Sequence, residues 1–132
     1  MKSLLKLLLL FAVFDCFAQS QIITIENFKS KFIQARNVEV WLPPAYAINP
    51  KQKFPVLYMQ DGQNVFNPET STHKIAWEAD DTAAKMIARQ KINPFIIVAV
   101  WSSEERYREY FPEKAAENFT SADLLLMDKV KK

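Results

Sequence analysis

The apolar run Phe54-Pro55-Val56-Leu57-Tyr58-Met59 stops at the polar stretch Gln60-Asp61-Gly62-Gln63. A tight turn at the carboxyl end of a strand presents backbone N–H groups. Fixed donors of that kind are what a tetrahedral acyl-transfer intermediate needs around its oxyanion. The plainer alternative is a strand-ending turn without chemistry, as most Asp-Gly pairs are. A nucleophile is harder to find. A Gly-x-Ser-x-Gly elbow needs small residues around its serine because the strand turns there under strain, and Gly62 is the only glycine of the chain. Ser71, Ser102, Ser103 and Ser121 lie in expected loops or a helix start without that context. His73, the only histidine, reads as a solvated loop residue. As a metal ligand it has no partner histidine, and nothing in the sequence places Asp80-Asp81 beside it.

One glycine in 132 residues also excludes phosphate loops and dinucleotide turns, which need several glycines at fixed spacing for close backbone approach. No cofactor is expected. Hydrophobic residues make up 49% and charged residues 24%, the balance of a globular chain long enough for one domain.

The first 18 residues read differently. Lys2 and Lys6 give a positive start, Leu4 to Phe14 an apolar stretch, and Cys16-Phe17-Ala18 a small-x-small exit, the pattern of a secretory signal peptide. Lys6 and Asp15 interrupt the stretch, leaving it too short for a permanent span of about 20 apolar residues. Cys16 raises the question of a lipoprotein, but Asp15 stands where a small residue should precede the modified cysteine. The expectation is a secreted or periplasmic protein, with residues 1–18 as signal peptide and 19–132 as the domain. Cleavage would remove the only cysteine, so the mature chain would form no disulfide. It would also remove Lys2, Lys6 and Asp15 from 17 basic and 15 acidic side chains, leaving near balance. No charge excess points to nucleic acid or an anionic membrane.

The elements that would hold the Asp61 turn follow from periodicity. Residues from Gln21, including Ile22-Ile23-Thr24-Ile25, are β-rich, and Asn37 to Leu42 alternate with period 2. Two half-buried antiparallel strands fit. Pro43-Pro44 ends the second, and 45–53 reads as a polar connection. Residues 54–59 and 95–101 read as parallel strands covered on both faces. Between them, Ala76 to Gln90 carries apolar residues at helical spacing, acidic residues early and basic ones late, as suits a helix dipole. This is a βαβ unit. Ser121-Ala122-Asp123 then opens a last helix, Leu124 to Lys132.

Three blocks, Pro55 to Phe66, Ala76-Trp77-Glu78-Ala79-Asp80 and Arg106-Tyr107-Arg108-Glu109-Tyr110-Phe111-Pro112, together resemble the putative esterase family of α/β-hydrolases. That family includes esterase D, enterochelin esterases, feruloyl esterases and mycolyltransferases. The resemblance covers roughly residues 36 to 112. It implies a small-molecule ester substrate and acyl chemistry by a Ser-His-acid triad. It also implies that the backbone N–H of Gln63 belongs to the oxyanion hole, with Gly62 letting the chain turn sharply beside it. Asp61 and Trp77 match positions at the substrate rim. Arg108, Glu109 and Tyr110 match a block that orders the loop after the second parallel strand.

The serine strand and the acid and histidine loops of that family would follow residue 132. The expected fold is therefore the N-terminal half of an α/β-hydrolase, two antiparallel strands followed by a parallel βαβ unit. The expected activity of this chain alone is none. An apolar edge at 54–59 would favour self-association. The alternative from another class is a non-catalytic secreted binding protein using Trp41, Trp77, Trp101 and the tyrosines as an aromatic ligand surface.

Overall fold

The computed structural model describes residues 19–111, 114, 117–123 and 125. The expected signal peptide and all but Leu125 of the expected 124–132 helix lie outside them. The chain forms two compact units, Met1–Trp101 and Ser102–Lys132.

The first unit is built on one four-stranded mixed sheet. In chain order it contains β1 (Gln21–Phe28), β2 (Arg36–Leu42), α1 (Pro44–Ile48), β3 (Val56–Gln60), a 3-10 turn (Gly62–Asn64), α2 (Ala79–Ala88) and β4 (Ile96–Val100). The strand order is β1-β2-β4-β3. β1 pairs antiparallel with β2, and β2 antiparallel with β4. β3 and β4 are parallel, with Val56 beside Ile96 and Gln60 beside Val100, so their carboxyl ends lie level. Open α/β sheets place their ligand crevices at such ends.

Two readings of the strands change. β1 is exposed along its whole length rather than half-buried. It is an edge strand with a register shift between Ile25 and Phe28, where Asn27 takes φ 50° and its N–H donates to Asn37 Oδ1. β3 is the other edge, at the residues where an apolar edge was expected, but it is not covered on both faces: Val56 is 44%, Leu57 45% and Tyr58 71% exposed. An apolar run reports that a strand can be buried, and only the neighbours decide whether it is.

The core lies on one face of the sheet. Trp41 and Ile97 face each other across β2 and β4, joined by Ala99, by Val65 and Phe66 after the 3-10 turn, and by Ala83 of α2. Met59, Ile87 and Phe95 pack against this cluster, the Phe95 ring lying 6.2 Å from that of Trp41. Burying these apolar side chains is the main stabilising contribution of the unit.

The helices differ from expectation at their ends. Residues 44–48 form α1 inside the expected connection, with Pro44 at its first turn, where a missing N–H costs nothing. Tyr46 of α1 packs on Phe54, with ring centroids 5.9 Å apart. α2 starts at Ala79 rather than Ala76. The N–H groups of Trp77 and Ala79 donate to Asn64 O and Val65 O, so this lead-in is tied to the 3-10 turn. It ends early because Gln90 adopts φ 56°. The Gln90 N–H then reaches Ile87 O and the Lys91 N–H reaches Met86 O, the two bonds of a Schellman cap.

In the second unit, α3 (Arg106–Glu109) places the Arg106 guanidinium 4.9 Å from the Tyr110 ring centroid. Phe111 and Phe119 meet edge to face at 5.2 Å. The helical residues 121–123 are capped one position earlier than the sequence suggests. Thr120 N–H donates to Asp123 Oδ2, and Asp123 N–H donates back to Thr120 Oγ1, a reciprocal capping box. The Thr120 hydroxyl, donating to Asp123 Oδ2 at 2.6 Å, and then the Thr120 N–H hold the Asp123 carboxyl below the usual carboxylate range.

Candidate active site

The turn after β3 is where the expected chemistry gathers. Asp61 takes the left-handed conformation at φ 54° and is 8% exposed. Gly62 to Asn64 then close a 3-10 turn, with Asn64 N–H donating to Asp61 O and Val65 N–H to Gly62 O. Those two bonds use the turn's later donors. The N–H groups of Gly62 and Gln63 precede them, at its amino end.

Gly62 is present for a different reason than expected. Its φ is not positive, and the sharp reversal is carried by Asp61 instead. A Cβ on Gly62 would stand 2.8 Å from the backbone carbons of Ala99 and Val100 and 2.8 Å from Trp101 Cδ1. Such contacts are far inside van der Waals separation, so glycine alone lets the turn seat against the end of β4.

A self-contained loop backs the turn. Asn64 Oδ1 accepts from the Thr72 N–H at 2.9 Å and lies 3.0 Å from Ser71 Oγ, while Asn64 O accepts from Trp77 N–H at 2.8 Å. Thr70 Oγ1 sits 2.9 Å from Gln63 O. Lys74 and Glu78 join Asp61 at positive φ, so three non-glycine residues of this one loop hold an uncommon backbone conformation. Strain of this sort persists only where surrounding bonds over-determine it.

Trp77 is brought to the turn by its backbone, and its side chain is 52% exposed. Its indole is therefore not a core residue of the helix start. The other tryptophans do not join it. Trp41 is 1% exposed within the core, and Trp101 turns its Nε1–H to Glu39 Oε2 at 3.1 Å. The aromatic surface of the alternative reading does not include Trp41, because strand alternation sends it inward with Ile97 and Ala99.

The loop serine and histidine differ in burial. Ser71 is 4% exposed and donates to Ile75 O at 2.7 Å, so its hydroxyl serves the loop. His73 is exposed on that loop. Ser102, Ser103 and Ser121 fall in the second unit, as do Arg108, Glu109 and Tyr110. Among the described residues no three His, Cys, Asp or Glu side chains are grouped to hold a metal ion.

Glu39 is the residue the sequence did not single out. Alternation along β2 hides it, since a glutamate between Val38 and Val40 reads as the solvent face. It is 7% exposed and shares its face with Trp41. The visible signal is that the same period puts Trp41 and Glu39 on one side.

A mixed sheet whose parallel strands end level, with a glycine turn seated against those ends, is consistent with an α/β esterase-like fold. The chain itself belongs to the family described as "Putative esterase", whose model matches residues 30–124. A solved ferulic acid esterase is similar, with 26% identity and a TM-score of 0.48 over 63% of this chain. The match spans 30% of that protein's length. No curated protein matches the sequence.

Proposed function

We propose that this chain forms the oxyanion side of a carboxylic ester hydrolase of the serine type and does not hydrolyse esters alone. The observation that carries the reading is the Gly62 turn, seated so closely on β4 that a Cβ at Gly62 would come 2.8 Å from the backbone carbons of Ala99 and Val100. In this reading Gln63 N–H is a donor to the oxyanion, Asp61 shapes the turn, and Trp77 lines the substrate rim. Membership of the esterase family supports a small-molecule ester as substrate. The nucleophile, its histidine and its acid come from a segment outside residues 1–132.

The test is an assay of the purified chain with a chromogenic short-chain ester. Hydrolysis no faster than buffer is expected, and turnover abolished by Ser71→Ala would overturn the reading. The coding sequence beyond Lys132 supplies a second check. It should encode Gly-x-Ser-x-Gly in one frame or another, and unrelated sequence there would count against the proposal. Residues 1–18 direct export in this reading, which N-terminal sequencing of the mature protein checks.

A further inference from the structure

Glu39 is a carboxylate at 7% exposure in the second strand of the sheet, opposite Ala99 of β4. Burying such a group is costly unless its oxygens are hydrogen-bonded. Among the described residues, its one hydrogen bond comes from Trp101 Nε1–H, at 3.1 Å. The same indole edge bears on the turn. Trp101 Cδ1, the atom next to Nε1 in the ring, lies 2.8 Å from the place a Gly62 Cβ would occupy. Trp101 is also anchored by its backbone, its N–H donating to Asn37 O at 3.0 Å one step beyond the β2–β4 register. Main chain and side chain are therefore both fixed from β2, and the indole forms one wall of the Gly62 seat.

We propose that Glu39 is a positioning residue for the Gly62 turn, acting through the Trp101 indole. The inference rests on the oxyanion reading above for its purpose but not for its test. A hydrogen bond to a carboxylate is stronger and more directional than one between neutral groups. It selects the indole rotamer whose five-membered ring faces Gly62. With that ring in place, the turn has a floor in Ala99 and Val100 and a wall in Trp101, so the N–H groups at its amino end keep one direction. Without it, the indole can rotate and the turn gains a second set of positions. Oxyanion donors are useful only when their direction is set before the charge forms.

The experiment is amide hydrogen exchange by NMR on the full chain, with the Trp101 indole N–H resonance followed alongside. Glu39→Leu removes the acceptor, Glu39→Gln keeps one, and Trp101→Phe removes the donor. Exchange at Asn64 and Val65, whose N–H groups close the turn, should accelerate about tenfold or more in Glu39→Leu and Trp101→Phe, the effect expected of losing a hydrogen bond to a charged group. Exchange at Val40 and Val98 in the sheet should stay within twofold, or about 0.4 kcal/mol, of the parent protein. Glu39→Gln should restore both slow exchange at the turn and the indole resonance. Equal acceleration in sheet and turn, no acceleration at the turn, or no rescue by glutamine would each overturn the proposal. If Glu39→Leu does not fold, Trp101→Phe and Glu39→Gln decide it alone. Ester turnover is no part of the readout, so failure of the esterase reading and failure of this one are separable.

Discussion

The most constrained residue of the molecule is Gly62, and the constraint is steric rather than conformational. Adding one methyl group forces a 2.8 Å contact on the backbone carbons of two β4 residues, which have no rotamer through which to yield. Gly62→Ala should therefore destabilise the fold by about 1–3 kcal/mol, the usual cost of overpacking, seen as a lower urea midpoint. An unchanged midpoint would mean that the turn is not seated as described. A second prediction concerns Asp80, in the first turn of α2. Partial burial penalises its charged form and raises its carboxyl above the ordinary value, outweighing the backbone hydrogen bonds at Asp81 and Asp80 that favour the charge. A carboxyl raised in the folded state makes the protein lose stability as pH climbs from the ordinary aspartate value to the raised one. Asp80→Asn removes that loss. Its Tm relative to the parent protein should rise between pH 3 and pH 7, and a relative fall would contradict the sign. Of these residue-scale features, the importance of the sole glycine was legible in the sequence. Its reason was not, because close approach between residues 62 and 99 is invisible along the chain.

Among the elements, α2 and β3 show how neighbours overrule local pattern. The periodic residues of 76–90 are real, but the ends are set by Asn64 O and Val65 O at one side and by a left-handed Gln90 at the other. Glutamine is an unusual occupant of that position, since a Cβ strains the left-handed conformation. Gln90→Gly should stabilise the first unit by about 1 kcal/mol, measured as a rise in Tm. A fall would mean that the side chain contributes more than its backbone strain costs. The two sheet edges differ as well. β1 is interrupted by its register shift and carries Glu26, devices that discourage pairing with another strand. β3 has no charge from Val56 to Gln60, and Pro55 does not blunt it, because Pro55 O is turned to the Ile96 N–H of β4. We propose that this open edge lets the chain self-associate through β3. Tyr58→Lys, at a position 71% exposed, should give a lower sedimentation-average mass than the parent protein at equal concentration. No change would remove β3 from consideration as the contact.

For the whole molecule, the two edges and the exposure of Ile22, Val56, Leu57 and Tyr58 leave much apolar surface in contact with water. The first unit is thus expected to aggregate or unfold with low cooperativity as the mature chain, as followed by calorimetry and light scattering. A sharp, monomeric unfolding transition would favour a self-sufficient binding protein instead. Family membership and the order of strands and helices were readable from the sequence alone. Hydrophobic period, proline breaks and a run of matching blocks are properties of neighbours in the chain. So were the strand-end turn at Asp61 to Gln63 and the lack of an elbow sequence, because both depend on residue type at fixed spacing. Only the tertiary structure decided that β1 is exposed along its whole length, why Gly62 cannot be replaced, and that Glu39 faces inward to hold Trp101. Those depend on contacts such as 39 to 101 and 62 to 99, whose partners are brought together by sheet pairing, and no local pattern encodes which strand will lie beside which.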